Sequence, residues 1–313
     1  MTNINIELPD SFYNEEVRNG YTISQKMKKV WAVELDLFQQ LDKICKKYGL
    51  TYYADGGTLL GTIRHKGFIP WDDDMDFIMY RSDFEKLCRV ASELKEPYFF
   101  QTEETDPGSL RCHGQLRNSS TTGIIRSEEK KKYPFNQGIF IDIFPIDTVP
   151  EDKEERDKFF KRLSYLKMKA RVYYDHINGY NEIKKVVGVK TFLKKCHSMI
   201  GQSYYEGLHL IYSKKNPYYE KYKREVVKYN NSSSKFVMDL ACGAQKDLLY
   251  KADIATPIYL PFENFNMPVP QNYNRFLTTL YGDWHVMVKG LNLHGSCIFD
   301  TENSYKNYIR KLQ

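Results

Sequence analysis

Apolar residues between Met27 and Tyr48 (Met27, Val30, Trp31, Leu37, Phe38, Leu41, Ile44, Cys45 and Tyr48) recur mostly at helical spacing. Ser24 precedes this pattern and Gly49 follows it, which predicts a helix with one buried face and a left-handed glycine stop. LTYYADGG then reads as a short strand rich in β formers, ending where Gly56 and Gly57 turn the chain. FIPWDDDMDFIMY is the next expected strand. SDFEKLCRVASEL is the next helix, with Ser82 and Glu85 at capping-box spacing. Residues 98–126 alternate polar and apolar with Gly breaks, as twisted strands do, and GIFIDIFPID is a compact strand bounded by Gly138 and Pro145.

At Glu151 the character changes. EDKEERDKFFKRLSYLKMKARVYY predicts a long charged helix, and the basic region continues helical with breaks near Gly179, Gly201 and Pro217. Residues 230–234 form a polar loop, followed by PFENFNMPVP and a short helix, QNYNRFLTTLYG. The expected organisation is an extension (1–21), a core (22–150), a basic helical region (151–229) and a C-terminal part packing on the core (230–313).

With 313 residues, 42% hydrophobic and 27% charged, the composition is that of a globular chain and excludes disordered, collagenous and repeat-rod classes. No stretch reaches the roughly 18 apolar residues of a membrane span, and MTNINIELPDSFYNEE lacks the regions of a signal peptide, so a cytoplasmic location is expected. The six cysteines stand far apart and read as reduced thiols. The net charge of +6 is unevenly divided, because residues 156–229 hold 18 Lys/Arg against 6 Asp/Glu. That segment therefore carries +12 and the remainder −6. Such asymmetry suits an anionic partner, whether membrane lipid, nucleic acid or phosphorylated substrate, or else a solvated lysine-rich surface.

The densest chemistry lies in GGTLLGTIRHKGFIPWDDDMDF, residues 56–77. On an extended strand Asp72, Asp74 and Asp76 share one face, while Asp73 takes the other. Carboxylates aligned this way repel one another unless a cation neutralises them, and hard oxygen donors suit Mg²⁺ or Mn²⁺ with substrate phosphate completing the shell. The run lacks the Gly and closing Glu of an EF-hand loop, and apolar residues flank it. Asp142 is a second carboxylate, beside Phe140 and Phe144 on a strand that reads as buried, where a charge requires a partner. Asp147 is expected to face a loop or cap the next element. Gly56, Gly57 and Thr58 can offer amides and a hydroxyl to a phosphate, with Arg64, His65 and Lys66 between that turn and the acids. Glycine turn, basic triplet and aligned aspartates together point to phosphoryl transfer. Arg117 is expected to touch nucleotide, His113, His285 and His294 have structural roles, and Trp71 is either a choline-cage ring or core packing.

Over GGTLLGTIRHKGFIPWDDDMDF and NQGIFIDIFPIDTVP, and less closely over PFENFNMPVPQNYNRFLTTLYGDW, the chain resembles the LicD family, which is related to fukutin and fukutin-related protein. DWHVMVKG departs from the family's usual ending by lacking a proline pair. The resemblance implies an α+β fold: a mixed sheet core of the nucleotidyltransferase (DNA polymerase β-like) type flanked by helices, here with an added basic helical region. It further implies transfer of phosphocholine or a related group from a donor such as CDP-choline to a hydroxyl of a cell-surface glycan or its lipid-linked precursor.

Carried over residue by residue, the glycine turn falls on Gly56 and Gly57, the Asp-x-Asp pair on Asp74 and Asp76, and the third acid on Asp142, with Asp72 as an auxiliary ligand. Mg²⁺ or Mn²⁺ is the implied cofactor, a second ion sharing those ligands activates the acceptor hydroxyl, and Arg64 and Lys66 neutralise phosphoryl charge. Glycerol phosphate, ribitol phosphate, phosphoethanolamine and a nucleoside monophosphate are alternative transferred groups. A noncatalytic nucleic-acid or membrane-binding protein is the alternative class. The basic region is expected to reach an anionic membrane from the cytoplasmic side, with nucleic acid as the weaker partner.

Overall fold

The computed structural model describes residues 4–131, 133–177, 201, 203–212, 215–242, 248–288 and 297–311. The expected break near Gly179 and the position of His294 lie outside the described residues. The chain is a mixed α+β protein divided into two compact units, Met1–Asp147 with Lys235–Gln313, and Thr148–Ser234.

The first unit begins with a hairpin of β1 (Glu16–Arg18) and β2 (Tyr21–Ile23), then helix α1 (Gln25–Tyr48). The Ser24 hydroxyl caps α1 by accepting from the Met27 amide, and Gly49 ends it at φ 62°. Both limits fall where the periodicity places them. Val30, Trp31, Leu37, Phe38 and Leu41 are fully buried, each contributing about 1.5–3 kcal/mol of apolar burial. Strand β3 (Tyr53–Ala54) leads into helix α2 (Gly56–His65), where the sequence suggests only a turn. The helix forms despite its glycines and threonines because Thr58, Leu59, Leu60, Gly61 and Thr62 are all buried, and tertiary packing overrides weak propensity.

Strand β4 (Asp76–Tyr80) starts later than expected. The segment holding Asp72, Asp73 and Asp74 is a loop, because the chain turns after Pro70 with the Asp72 amide donating to the Ile69 carbonyl. The Trp31 indole N–H donates to the Asp72 carbonyl at 3.1 Å, and Trp31 stacks on Phe68 with centroids 4.5 Å apart. Helix α3 (Arg81–Val90) begins one residue before Ser82, with Tyr80 at its N-cap position and no side-chain cap, so the expected capping box does not form.

Strands β5 (Tyr98–Gln101), β6 (Gly114–Asn118), β7 (Thr122–Ile125) and β8 (Ile139–Thr148) follow. In β8, Ile139, Ile141 and Ile143 are buried and alternate with the partly open Phe140, Asp142 and Phe144. The strand continues through Pro145, since proline fits extended backbone and removes only one donor. The central sheet is seven-stranded, in the order β10 (Leu249–Tyr250), β9 (Phe236–Asp239), β8, β4, β3, with β6 also paired to β8 and β5 to β6. Around it lie the hairpin of β11 (Pro257–Phe262) and β12 (Phe265–Pro270), and β13 (Cys297–Asp300) paired with β7.

The second unit contains helix α4 (Lys153–Ile177) and helix α5 (Pro217–Val226). Asn216 caps α5 by accepting from the Tyr218 and Tyr219 amides, and Pro217 occupies its first turn. No helix among the described residues is long and apolar enough to cross a membrane.

Candidate active site

Strand register builds the site. β4 and β8 are parallel and pair Asp76 with Asp142, while β6 runs antiparallel to β8 and pairs Gln115 with Asp142. Three neighbouring strands, about 4.8 Å apart, thus set Gln115, Asp142 and Asp76 side by side in one row. The Asp76 backbone is fixed at both ends. Its N–H donates to Thr58 Oγ1 at 2.9 Å, and its carbonyl accepts from the Asp55 amide at 2.9 Å.

The N-terminus of α2 abuts the acids. Gly56 has φ +51°, and a Cβ there would lie 3.3 Å from Asp76 Oδ2 and 3.9 Å from the Tyr281 hydroxyl. A Cβ on Gly57 would overlap Asp72 Oδ2. The glycine pair therefore allows carboxylates to approach the open amides and positive dipole end of the helix. Gly57→Ala should displace the Asp72 carboxylate and lower activity by about tenfold or more while leaving the melting temperature within about 3 °C. Activity and a thermal melt, measured on one preparation, check this.

Among the described residues three of the carboxylates converge, and Asp76 and Asp142 are not among them. Oxygens of Asp72, Asp73 and Asp74 all lie within 4.8 Å of one another, so Asp73, expected on the opposite face, joins the group because the loop does not obey strand alternation. Burial, together with the charges of Asp74, Asp142, Asp55 and Asp72, pushes the Asp76 carboxyl well above its ordinary range. Asp72 rises to about 6, through burial and the Asp73 charge. Burial alone would raise Asp142 as well, but the His113 charge and hydrogen bonds from His113 and Gln115 hold it below the usual carboxylate range.

His113 Nε2 lies 2.9 Å and the Gln115 amide 2.7 Å from the same oxygen, Asp142 Oδ1. Burial opposes the charged imidazole, yet Asp142 raises His113 to about 9. Arg117 sits beneath this pair, buried and 4.5 Å from the Phe140 ring centroid. Its guanidinium donates to Gln101 Oε1 and the Gly138 carbonyl, each at 2.7 Å, and to Gln115 Oε1, which aims the Gln115 amide at Asp142. Arg117 is thus a buried support, enclosed in the sheet, and does not reach a nucleotide as the sequence suggests.

Other expected residues take different places. Thr58 is buried, and its hydroxyl is engaged by the Asp76 amide rather than offered to a phosphate. Arg64 lies two turns after Gly57 on the same helix face, donates to the Trp284 carbonyl at 3.2 Å and has the Tyr281 phenol in its surroundings. Lys66 is exposed at the far end of α2, about 14 Å along the axis from Gly57, and does not join the acids. His65 is driven down to about 4 by burial and the Arg64 and Arg18 charges, so it is neutral near pH 7. Trp71 packs edge-on against Tyr21 and His65 and forms no cage with them. Asp147 lies on β8 rather than in a loop, buried in a two-point ion pair with Arg81 at 2.6 and 3.0 Å.

The structure also adds residues. Tyr281 ends helix α6 (Tyr273–Tyr281), and burial and the charges of Asp55, Asp76, Asp72 and Asp74 push its phenol upward. Its signal was present in the third LicD-like segment, where it precedes Gly282 and Asp283. Glu34, fully buried on α1, is raised well above the carboxylate range by burial and by the charges of Asp74, Asp73 and Asp72 in the loop it backs. His113 and Gln115 were legible only as alternate positions of one strand.

Comparison with known proteins covers the segment that holds these residues. The family described as LicD/FKTN/FKRP, nucleotidyltransferase domain, matches residues 49–178, which include Gly56, the acidic loop, His113, Gln115 and Asp142. The lipopolysaccharide cholinephosphotransferase LicD of Haemophilus influenzae is 26% identical over 263 residues, 82% of this chain and 91% of that protein. Both matches support the LicD family for this chain. An uncharacterized protein of Rickettsia prowazekii is 24% identical over 131 residues, 40% of this chain and 47% of its own length. The LicD domain match stops before Tyr281 and Trp284, so the surroundings of Arg64 are completed by residues outside it.

Proposed function

We propose that this LicD-family chain transfers phosphocholine from CDP-choline to a hydroxyl of a cell-surface glycan or its lipid-linked precursor, on a core of the nucleotidyltransferase type. The observation that carries the reading is the parallel pairing of Asp76 with Asp142 beside the N-terminus of α2. The Haemophilus relative supports phosphocholine as the group transferred.

The residues fit a hard divalent cation. Asp76 and Asp72 are held above their ordinary range by burial and neighbouring carboxylates, which is the electrostatic deficit a cation removes. Asp74, Asp76 and Asp142 would hold Mg²⁺ or Mn²⁺, with Asp72 auxiliary. An ion bound there lowers the pKa of the attacking hydroxyl and neutralises phosphate oxygens. The chain itself supplies positioning. The open amides of α2 face the donor diphosphate, and His113 and Gln115 fix Asp142 through Oδ1. Arg64 lies on the α2 face that carries Gly57, where its charge favours a departing CMP.

The test is CMP release from a panel of cytidylylated choline, ethanolamine, glycerol and ribitol donors in the presence of a hydroxyl-bearing glycan acceptor, with and without Mg²⁺. Release confined to CDP-choline with Mg²⁺ present is the expected result. Release from another donor alone reassigns the transferred group, and no release from any refutes the reading.

A second expectation concerns stability. Carboxyls raised in the fold hold protons more tightly than in the unfolded chain, so their contribution is greatest at low pH and is lost as pH rises through about 6. Mg²⁺ should offset that loss, giving a larger increase in melting temperature at pH 7.5 than at pH 5. An equal shift at both values would contradict it.

A further inference from the structure

We infer that the unit Thr148–Ser234 carries a surface that docks on an anionic lipid bilayer. The inference stands on this unit alone and does not rest on the proposed chemistry.

Helix α4 buries Phe159, Leu163, Leu166, Ala170, Tyr173 and Tyr174 along one stripe. Its opposite face presents Lys161, Arg162, Tyr165 and Met168 to solvent. From Lys158 to Arg171 the helix holds six basic residues and no acid. A second segment, residues 203–212, is joined to α4 by a 2.7 Å hydrogen bond between the Tyr173 hydroxyl and His209 Nδ1 and by an edge contact of Tyr173 with Tyr205. With Tyr205 turned inward, Leu210 is left 77% exposed, Ile211 75% and Tyr204 55%. Tyr204 reaches the Tyr218 hydroxyl at 3.5 Å, and Tyr165 also lies near that group, so tyrosines of the two segments meet there.

Exposed aliphatic tips, half-exposed tyrosines and an acid-free basic run form the composition of an interfacial surface. The apolar residues enter the boundary between headgroups and acyl chains, tyrosine sits at headgroup depth, and basic side chains meet lipid phosphates. A nucleic acid would also use the tyrosines and lysines. Leu210 and Ile211 offer it no stacking face, however, and their exposure favours lipid.

The experiment is co-sedimentation of the full chain with vesicles of mixed phosphatidylglycerol and phosphatidylcholine, and with phosphatidylcholine alone, at about 0.05 M and about 0.5 M salt. Binding is expected to the anionic vesicles only and to fall at high salt. Leu210→Ser with Ile211→Ser should weaken partitioning about tenfold, and Lys161→Glu with Arg162→Glu at least about twentyfold. These residues are exposed, so circular dichroism should be unchanged. Three results would overturn the inference: no sedimentation with anionic vesicles at low salt, equal sedimentation with neutral vesicles, or tighter binding to a single-stranded oligonucleotide that the Leu210 and Ile211 changes leave unaltered.

Discussion

Asp76→Asn is expected to lower kcat by about a thousandfold or more while leaving the fold intact or slightly stabilised. The two effects have one origin. Asp76 stands among Asp74, Asp142, Asp55 and Asp72, and its charge is disfavoured by burial and by all four. Replacing the carboxylate with a neutral amide of the same shape removes repulsion, so the melting temperature should hold or rise. The same replacement removes a charged ligand from the proposed cation site, where loss of a single member of an interdependent catalytic set costs several orders of magnitude. Asp142→Asn should be equally inactive but less stable than Asp76→Asn, because it breaks the charge pairing with His113 at 2.9 Å. Activity assays and denaturant midpoints on both variants check the pair. Near-normal turnover in Asp76→Asn would defeat the reading, and so would its unfolding.

The second large effect is on stability. Arg117→Leu leaves Gln101 Oε1, the Gly138 carbonyl and Gln115 Oε1 without their donor inside the sheet. Each unsatisfied buried acceptor costs about 1–3 kcal/mol, and loss of a buried charged hub typically costs about 3–5 kcal/mol. A destabilisation of about 3–5 kcal/mol is expected, read as a shift in denaturation midpoint. Arg117→Lys keeps the charge but not the planar fork, so it should fall between wild type and Arg117→Leu. A loss below about 0.5 kcal/mol for Arg117→Leu would contradict the network. Because Gln115 would also be free to turn its amide from Asp142, turnover should fall in both variants under conditions where they remain folded.

Much of this was written in local pattern. Helix α1 follows directly from apolar spacing between Ser24 and Gly49, and the alternation of Ile139, Ile141 and Ile143 with Asp142 identifies both faces of β8. Helix α2 is hidden from propensity because Gly56, Gly57, Thr58, Gly61 and Thr62 are poor helix formers, and burial of Thr58 through Thr62 against the core holds the segment helical. The acidic run is a loop rather than the expected strand for a related reason. Strand alternation would place Asp73 away from Asp72 and Asp74, but the turn after Pro70 and the Trp31 indole hold these residues in a loop. Partners brought by long-range pairing carry no local signal. His113 and Gln115 meet Asp142 through the register of β6 on β8, and Tyr281 reaches the acids from a helix near the far end of the chain. Arg117 illustrates the opposite case: a basic residue on a strand beside the acids invites a binding role, and only its burial and the hydrogen bonds from all three of its side-chain nitrogens show it to be a support.

In the proposed mechanism Asp74, Asp76 and Asp142 together would grip a divalent cation against a donor diphosphate. Anomalous diffraction from crystals grown with Mn²⁺ and CDP-choline tests it most directly. The account predicts a Mn²⁺ peak at about 2.0–2.2 Å from oxygens of these three aspartates and from the donor phosphates. A peak elsewhere, or these carboxylates turned away from a bound donor, would contradict it.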